Sequence, residues 1–191
     1  MRAVVVGAYG LIGAEAVRRL QAHGFAVVGA GRDLRTARRR SPQLSWVHAE
    51  LGRTNAGGWA ERLAGVEVVV NAAGVLQDGW RESLDATHGR GLEALLEGCR
   101  RAGVRRLVHV SAVGVAAGRP GGGLFNDARA EAERLVAGSG LEWVILRPGL
   151  VFGAEAFGAA GLLRGLAALP LVMPAFAPEA KVRAVSLGQV G

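Results

Sequence analysis

The chain reads as a doubly wound parallel α/β sheet with helices on both faces, and three observations predict it. Val4-Val5-Val6 run straight into glycines at 7, 10 and 13, and a helical pattern follows at once. Helix–glycine–strand junctions recur at His23-Gly24-Phe25, Leu63-Ala64-Gly65-Val66, Arg101-Ala102-Gly103-Val104 and Gly138-Ser139-Gly140-Leu141. The stretches Phe25 to Ala30, Val66 to Asn71, Arg105 to Ser111 and Glu142 to Arg147 are nearly continuous apolar runs, as strands covered on both faces require.

The elements follow in order. A strand over 2–7 leads to a helix over 11–22, with Ile12, Ala16 and Leu20 on one face and Arg18 and Arg19 on the other. Gly24 stands where a left-handed helix cap is needed, and the strand 25–30 follows. A shorter strand over 44–48 ends in Glu50-Leu51. A turn at 54–58 and a short helix to Ala64 lead to the fourth strand. A long patterned helix is predicted over 86–102, then the fifth strand, a glycine-rich loop from Gly114 to Gly123, a helix over 127–138 and the sixth strand. Beyond Ala154 the pattern changes: an apolar helix over 155–168 broken by Gly158, Gly161 and Gly165, then Pro170, Pro174 and Pro178, and a last short strand over 182–185. Residues 1–153 are therefore assigned to the sheet domain. Residues 154–191 are assigned to a remnant of a substrate-side subdomain that is not an independent unit.

Composition bounds the function. At 191 residues, half of them hydrophobic and a fifth charged, the chain suits one globular domain. The net charge of +7 is carried almost wholly by arginine, Lys181 being the only lysine. Those arginines are scattered on helical faces without interleaved aromatics, which argues against nucleic acid. Arg164 and the prolines interrupt the one long apolar stretch, which argues against a membrane span. Cys99 is alone and falls on an apolar helix face, so neither a disulfide framework nor a cysteine zinc site is expected. The N-terminus runs directly into a strand, and a cytoplasmic location is the expectation.

Ligands of open parallel sheets sit beyond the carboxyl ends of the strands, so the residues there are the site candidates. After the first strand, Gly7, Gly10 and Gly13 permit a tight turn, close approach of backbone to a diphosphate and close helix packing. Leu11 and Ile12 open a helix whose first N–H groups and positive dipole end face the anion. Tyr9, the sole tyrosine, lies in this turn and is expected to pack on the cofactor. After the second strand, Arg32 and Arg35 suit the 2′-phosphate of NADP, while Asp33 keeps NAD open through the ribose hydroxyl. After the fourth come Asn71, Ala72, Ala73 and Gly74, small residues against which a ribose can lie, with Asn71 bracing the strand ends. Ser111 follows the fifth, and Pro148 and Gly149 follow the sixth. No metal ligands are expected.

Taken together, Gly7 to Gly13, Asn71-Ala72-Ala73-Gly74, Val108-His109-Val110-Ser111, the Ala-Glu-Ala-Glu helix at 130–133 and Ile145-Leu146-Arg147-Pro148-Gly149 resemble the short-chain dehydrogenase/reductase superfamily. The resemblance is to its extended and atypical branches, similar to NAD(P)-dependent epimerase/dehydratases and NAD(P)H-binding proteins, and it covers residues 1 to about 153. It implies a Rossmann-type sheet, a nicotinamide dinucleotide cofactor, Glu50-Leu51 near the adenine and Pro148-Gly149 near the nicotinamide. It also implies a homodimer through the helices 86–102 and 127–138.

Two departures bear on activity. Relatives that do redox chemistry carry a tyrosine four residues before a lysine, the lysine lowering the phenol's pKa so that it exchanges a proton as hydride moves. Alignment of the 129–133 run places Arg129 at the lysine and Phe125 at the tyrosine. Phenylalanine exchanges no proton and arginine stays charged, though Arg129 can bond the nicotinamide ribose. Ser111 is the remaining catalytic candidate; His109, His88 and Asp127 read better as a core residue and two helix starts. The second departure is length: extended relatives continue past 191, and Ser186, Gly188 and Gln189 stand where they carry a histidine and acidic residues. The sequence thus leaves two readings: an NADP-dependent oxidoreductase or epimerase/dehydratase-like enzyme acting on a small molecule, and a non-catalytic dinucleotide-binding sensor or structural subunit.

Overall fold

The computed structural model describes residues 1–74, 89–115, 123–152 and 184–190, without the side chains of 123–125 and 190. The elements run β1 (Arg2–Val6), α1 (Leu11–Ala22), β2 (Ala26–Gly31), α2 (Leu34–Arg40), β3 (Ser45–His48), α3 (Ala56–Arg62), β4 (Val68–Asn71), α4 (Arg90–Ala102), β5 (Arg106–Val110), α5 (Gly123–Ala137), β6 (Glu142–Leu146), β7 (Leu150–Phe152), β8 (Ala184–Ser186) and α6 (Leu187–Val190).

Six strands pair in the order β3-β2-β1-β4-β5-β6, every pair parallel. This is the Rossmann order, and the chain reverses direction across the sheet between β1 and β4, where such folds open a crevice for ligands. Register brings the carboxyl ends level: Val6 lies opposite Ala30 and Asn71, Asn71 opposite His109, and Val110 opposite Leu146. The four predicted glycine junctions hold, with Gly24, Gly65, Gly103 and Gly140 all in the left-handed region.

The apolar runs of β1, β2, β4 and β5 are explained by what each face buries, whereas edge strand β6 departs from the expectation of two covered faces, with Glu142, Trp143 and Val144 exposed. Val4, Val6, Val69 and Leu107 join Trp59, Leu63, Leu92, Leu95, Leu96, Cys99, Ala132 and Val136 on the face covered by α3, α4 and α5. Their neighbours Val5, Val27 and Val70 join Val17 on the α1 face, with Leu20 packed against them. Alternate residues of one strand thus feed two cores. Cys99 is fully buried as expected, and burial pushes its thiol up to about 12.

The structure departs from the sequence expectations at several boundaries. Helix α5 begins at Gly123 rather than at 127, so Asp127 is an exposed residue inside the helix and not its start. Strand β7 was not anticipated: three residues are too few to show a period, and its partner β8 lies far along the chain. Helix α6 closes the described chain where no closing helix was expected. The predicted helix over 155–168, the start of the 86–102 helix with His88, and most of the glycine-rich loop lie outside the described residues. Among the described residues no helix is long and apolar enough to cross a membrane.

Helix α1 is fastened from its outer side. Glu15, buried at 8% exposure, accepts from Arg18 Nε at 2.8 Å and from Arg19 Nε at 2.9 Å, while Arg19 Nη2 donates to the Gly188 carbonyl of α6 at 2.7 Å. The hydrogen bond from Arg18 leads the causes that lower the Glu15 carboxyl to about 2, burial opposing it and Arg19 adding to it. A depressed carboxyl stabilises the fold fully above its unfolded value and ceases to do so as pH falls through its folded value. The two guanidinium groups are well exposed, so screening holds the contribution to about 1 kcal/mol. Glu15→Gln is expected to lower stability by that amount at pH 7, with the difference from the parent protein shrinking between pH 4.5 and pH 2; urea titrations across that range measure it.

Candidate functional site

The site is built from backbone first. Strand β1 delivers the chain to Gly7, which turns with φ +78° and donates its N–H to the Ala30 carbonyl at 2.9 Å. A Cβ at Gly7 would stand 2.8 Å from the nitrogen of Ala73, so this glycine is pressed against the Asn71–Gly74 turn. A Cβ at Gly13 would stand 2.2 Å from the Gly7 carbonyl oxygen, so the first turn of α1 lies directly on the loop that precedes it. Gly10 donates to the Gly7 carbonyl at 2.9 Å and serves as N-cap of α1 without a side-chain cap, and the first turn of the helix holds no acid. The opening N–H groups of α1 are thus left to an external anion, the use that a diphosphate makes of a helix start.

At the β2 end, Gly31 is the last strand residue and Arg32 follows it, exposed. Asp33 is committed to the helix: its Oδ1 accepts from the N–H groups of Arg35 and Thr36 at 3.0 and 3.1 Å, making it the N-cap of α2. A hydrogen bond from the Thr36 side chain leads the causes that hold the Asp33 carboxyl below the ordinary value, and the two backbone N–H bonds add to it. Tyr9 lies on the protein at this end, its ring 2.5 Å from where a Cβ on Gly31 would stand and its centroid 6.1 Å from that of Trp46. Arg40 Nη1 donates to the Tyr9 carbonyl at 2.8 Å and ties α2 to the glycine turn. Of the acid–apolar pair after β3, Leu51 is buried in the α3–α5 core, and Glu50 is half-buried with Arg53 3.6 Å from its carboxylate.

The other side of the crevice is a buried polar cluster. Asn71 Oδ1 accepts the Ala73 N–H at 3.3 Å, which turns its amide NH2 to His109 Nδ1 at 3.2 Å. His109 Nδ1 therefore accepts, and the ring proton sits on Nε2. His109 is a core residue, 1% exposed, as expected, but one wired to the Asn71 turn. Arg129 is also buried and donates from Nη1 to the Val110 carbonyl at 3.3 Å. Burial lowers its pKa, with Glu133 opposing. The Ser111 N–H donates to the Leu146 carbonyl at 2.7 Å and the Val113 N–H to the Pro148 carbonyl at 2.9 Å, drawing the β5 and β6 ends together. Ser111 Oγ faces Glu133 without closing a hydrogen bond of ordinary geometry.

Sequence reasoning passed over Glu133 and Arg147 as functional residues. Glu133 is 9% exposed, and Arg147 grips it with both prongs, Nε to Oε1 at 2.9 Å and Nη2 to Oε2 at 2.6 Å. Burial pushes the Glu133 carboxyl up, but the two bonds from Arg147, with the nearby Ser111 hydroxyl and the Arg147 charge adding to them, outweigh it and leave the group below its ordinary value. A signal existed: Glu133 neighbours Ala132 and Val136 on the inward side of α5, where a carboxylate has to find a cation.

The predicted residues thus form two groups at one sheet edge, Gly7–Gly13 with Arg32 and Arg35 on one side, and Asn71–Gly74 with Ser111, Arg129, Pro148 and Gly149 on the other. The model of a family described as NAD(P)H-binding matches residues 7–159, which span both groups. The chain belongs to this NAD(P)H-binding family. An uncharacterized chloroplastic protein of Arabidopsis thaliana is 28% identical over 165 residues, which cover 76% of this chain and 57% of that relative. UDP-glucose 4-epimerase of Thermus thermophilus, solved with NAD, superposes with TM-score 0.74 at 24% identity, covering 100% of this chain and 72% of that one. The NADPH-dependent quinone oxidoreductase of Escherichia coli, solved with NADPH, does so with TM-score 0.61 at 19% identity, over 78% and 49%. An oxidoreductase of Lactococcus lactis gives 0.66 at 20% identity, over 83% and 73%. These likenesses establish the shared fold, and membership of the NAD(P)H-binding family establishes the class of cofactor.

Gly7→Ala is expected to cost about 2 kcal/mol of stability, because alanine is strained at positive φ and its methyl group meets the Ala73 backbone. Thermal denaturation without cofactor measures that loss, and nicotinamide dinucleotides at millimolar concentration should recover little of it because the cradle itself is displaced.

Proposed function

We propose that the protein binds NADP(H) in preference to NAD(H) and acts as an oxidoreductase or epimerase/dehydratase-like enzyme on a small molecule, without a Tyr–Lys pair. The observation that carries the NADP preference is Asp33. A carboxylate at the end of β2 selects NAD by accepting from the ribose 2′-hydroxyl. Here one of its oxygens is already occupied by two backbone N–H groups of α2. The neighbouring groups at the strand tip, Arg32 and Arg35, are exposed guanidiniums suited to a phosphate. The cradle at Gly7–Gly13 would take the diphosphate, Glu50 and Leu51 the adenine surroundings, and Asn71–Gly74, Ser111, Arg129 and Pro148-Gly149 the nicotinamide half. When bound, the cofactor would supply the hydride; this chain's residues would orient it and exclude water.

The oxidoreductase and epimerase assignment draws on the activities in the names of the structural neighbours. A second reading, a non-catalytic cofactor sensor or structural subunit, is favoured by Arg129, which stands at the lysine position, is buried and donates from Nη1 to the Val110 carbonyl. We also assign a cytoplasmic location and a homodimer through α4 and α5. Nucleic acid and membrane are left out of the partner set.

Calorimetric titration with NADPH and NADH tests the cofactor reading: NADPH should bind more tightly, and binding of neither to the folded protein would overturn it. Arg32→Ala is expected to weaken NADPH about 10-fold or more, the worth of a charge-assisted bond, while leaving NADH within about 2-fold. Equal losses would remove Arg32 from the 2′-phosphate.

A further inference from the structure

Strand β6 ends at Leu146, and the three residues that follow must present Pro148-Gly149 at the crevice. Proline has no N–H, so this turn cannot be held by a bond from its own first nitrogen. It is held from three other directions. The Pro148 carbonyl accepts from Val113 at 2.9 Å, the Leu146 carbonyl accepts from Ser111 at 2.7 Å, and between them the Arg147 side chain reaches Glu133 on α5. One helical turn earlier on α5, Arg129 reaches the Val110 carbonyl at the end of β5. Helix α5 is therefore bolted to the ends of both strands that border the nicotinamide half of the crevice, by two side chains spaced i and i+4.

We propose that the Glu133–Arg147 pair is a positioning clasp that sets the Pro148-Gly149 turn against the nicotinamide half of the bound dinucleotide. The inference rests on the dinucleotide reading above and deepens it by assigning two residues to one half of the ligand. Glu133 is buried and Arg147 half-exposed, so the carboxylate is the fixed post and the arginine the movable latch. The two-pronged geometry sets the direction as well as the distance of the Arg147 side chain, which a lysine's single ammonium does not. With the latch gone, Glu133 is left as a buried anion beside Ser111 and His109, and the turn keeps only its backbone bonds.

The adenosine half makes the test selective. It is held by β1, α1 and β2, none of which carries a member of the clasp. The full chain is titrated with NADPH and with adenosine 2′,5′-bisphosphate, which carries the adenosine end and no nicotinamide. Glu133→Gln, which keeps shape and removes charge, is expected to weaken NADPH about 10-fold or more while moving the bisphosphate by less than about 2-fold. Arg147→Gln, at the exposed partner, should do the same, and Arg147→Lys should fall between it and the parent protein. Equal losses for both ligands would reduce the pair to general stability, and an unchanged NADPH affinity would remove it from the site; either result overturns the clasp. If Glu133→Gln fails to fold, the Arg147 variants decide alone. Failure of the parent protein to bind either ligand would instead overturn the dinucleotide reading, so the two failures are distinguishable.

Discussion

The carboxyl edge of the sheet depends on how closely bare backbone can approach bare backbone at Gly7. That residue touches three things at once: the end of β2 through Ala30, the start of α1 through Gly10 and Gly13, and the Asn71–Gly74 turn through Ala73. A single methyl group at either Gly7 or Gly13 would force neighbours apart by a substantial fraction of an ångström or more. Interiors packed at crystal-like density have no slack to absorb that. The consequence is electrostatic as well as steric. Because α1 begins directly on the loop, with no side chain capping it, its unpaired N–H groups open onto the crevice rather than into protein.

From that contact the two halves of the site follow by strand order. The reversal between β1 and β4 puts Arg32 and Arg35 on one side of the cradle, and Asn71, Ser111 and the β6 turn on the other. The halves are stabilised differently. On the β2 side the tie to the cradle is an exposed arginine, Arg40 to the Tyr9 carbonyl, and the Asp33 cap is exposed as well. On the β5–β6 side Asn71, Arg129 and Glu133 are buried and bonded, Asn71 to Ala73 and His109, Arg129 Nη1 to Val110 and Glu133 to Arg147, while the buried Ser111 hydroxyl closes no ordinary hydrogen bond. Buried polar groups demand partners at defined geometry, so this second half is the more rigidly specified.

Legibility in the sequence followed the same division. The strands buried on both faces, the four glycine junctions and the cradle could all be read, because each has a local chemical cause: apolar continuity, positive φ, the absence of a Cβ. The polar cluster could not be read, because its partners are remote. Glu133 and Arg147 are 14 residues apart, and Asn71 and His109 are 38 apart; nothing local says that they meet. Strand β7 escaped for the same reason, its partner among the described residues being β8, and three residues carry no period. Asp33 shows the limit from the other side. Its position suggested a ribose ligand, whereas its next three residues open a helix that needs a cap, a use equally legible in Asp-Leu-Arg-Thr had helix α2 been recognised as starting there.

Taken together, the described residues at the β5 and β6 ends are rich in groups that hold and poor in groups that exchange protons. Arg129 keeps its charge across the working pH range, and its guanidinium is turned to a main-chain carbonyl. Glu133 is kept ionised by Arg147, and Asn71 fixes His109 with its Nδ1 as an acceptor. Ser111 is the exception, with a hydroxyl that faces Glu133 but closes no ordinary hydrogen bond to it. Arg147 places one bond at each oxygen of Glu133 and lowers its basicity, which makes that carboxylate a weak base for the Ser111 hydroxyl. Among the described residues, Ser111 is thus the side chain at this edge best placed to pass a proton on. Arg129, Glu133 and Arg147 tie strand ends to helix α5, and a fixed edge is a demand that binding and catalysis share.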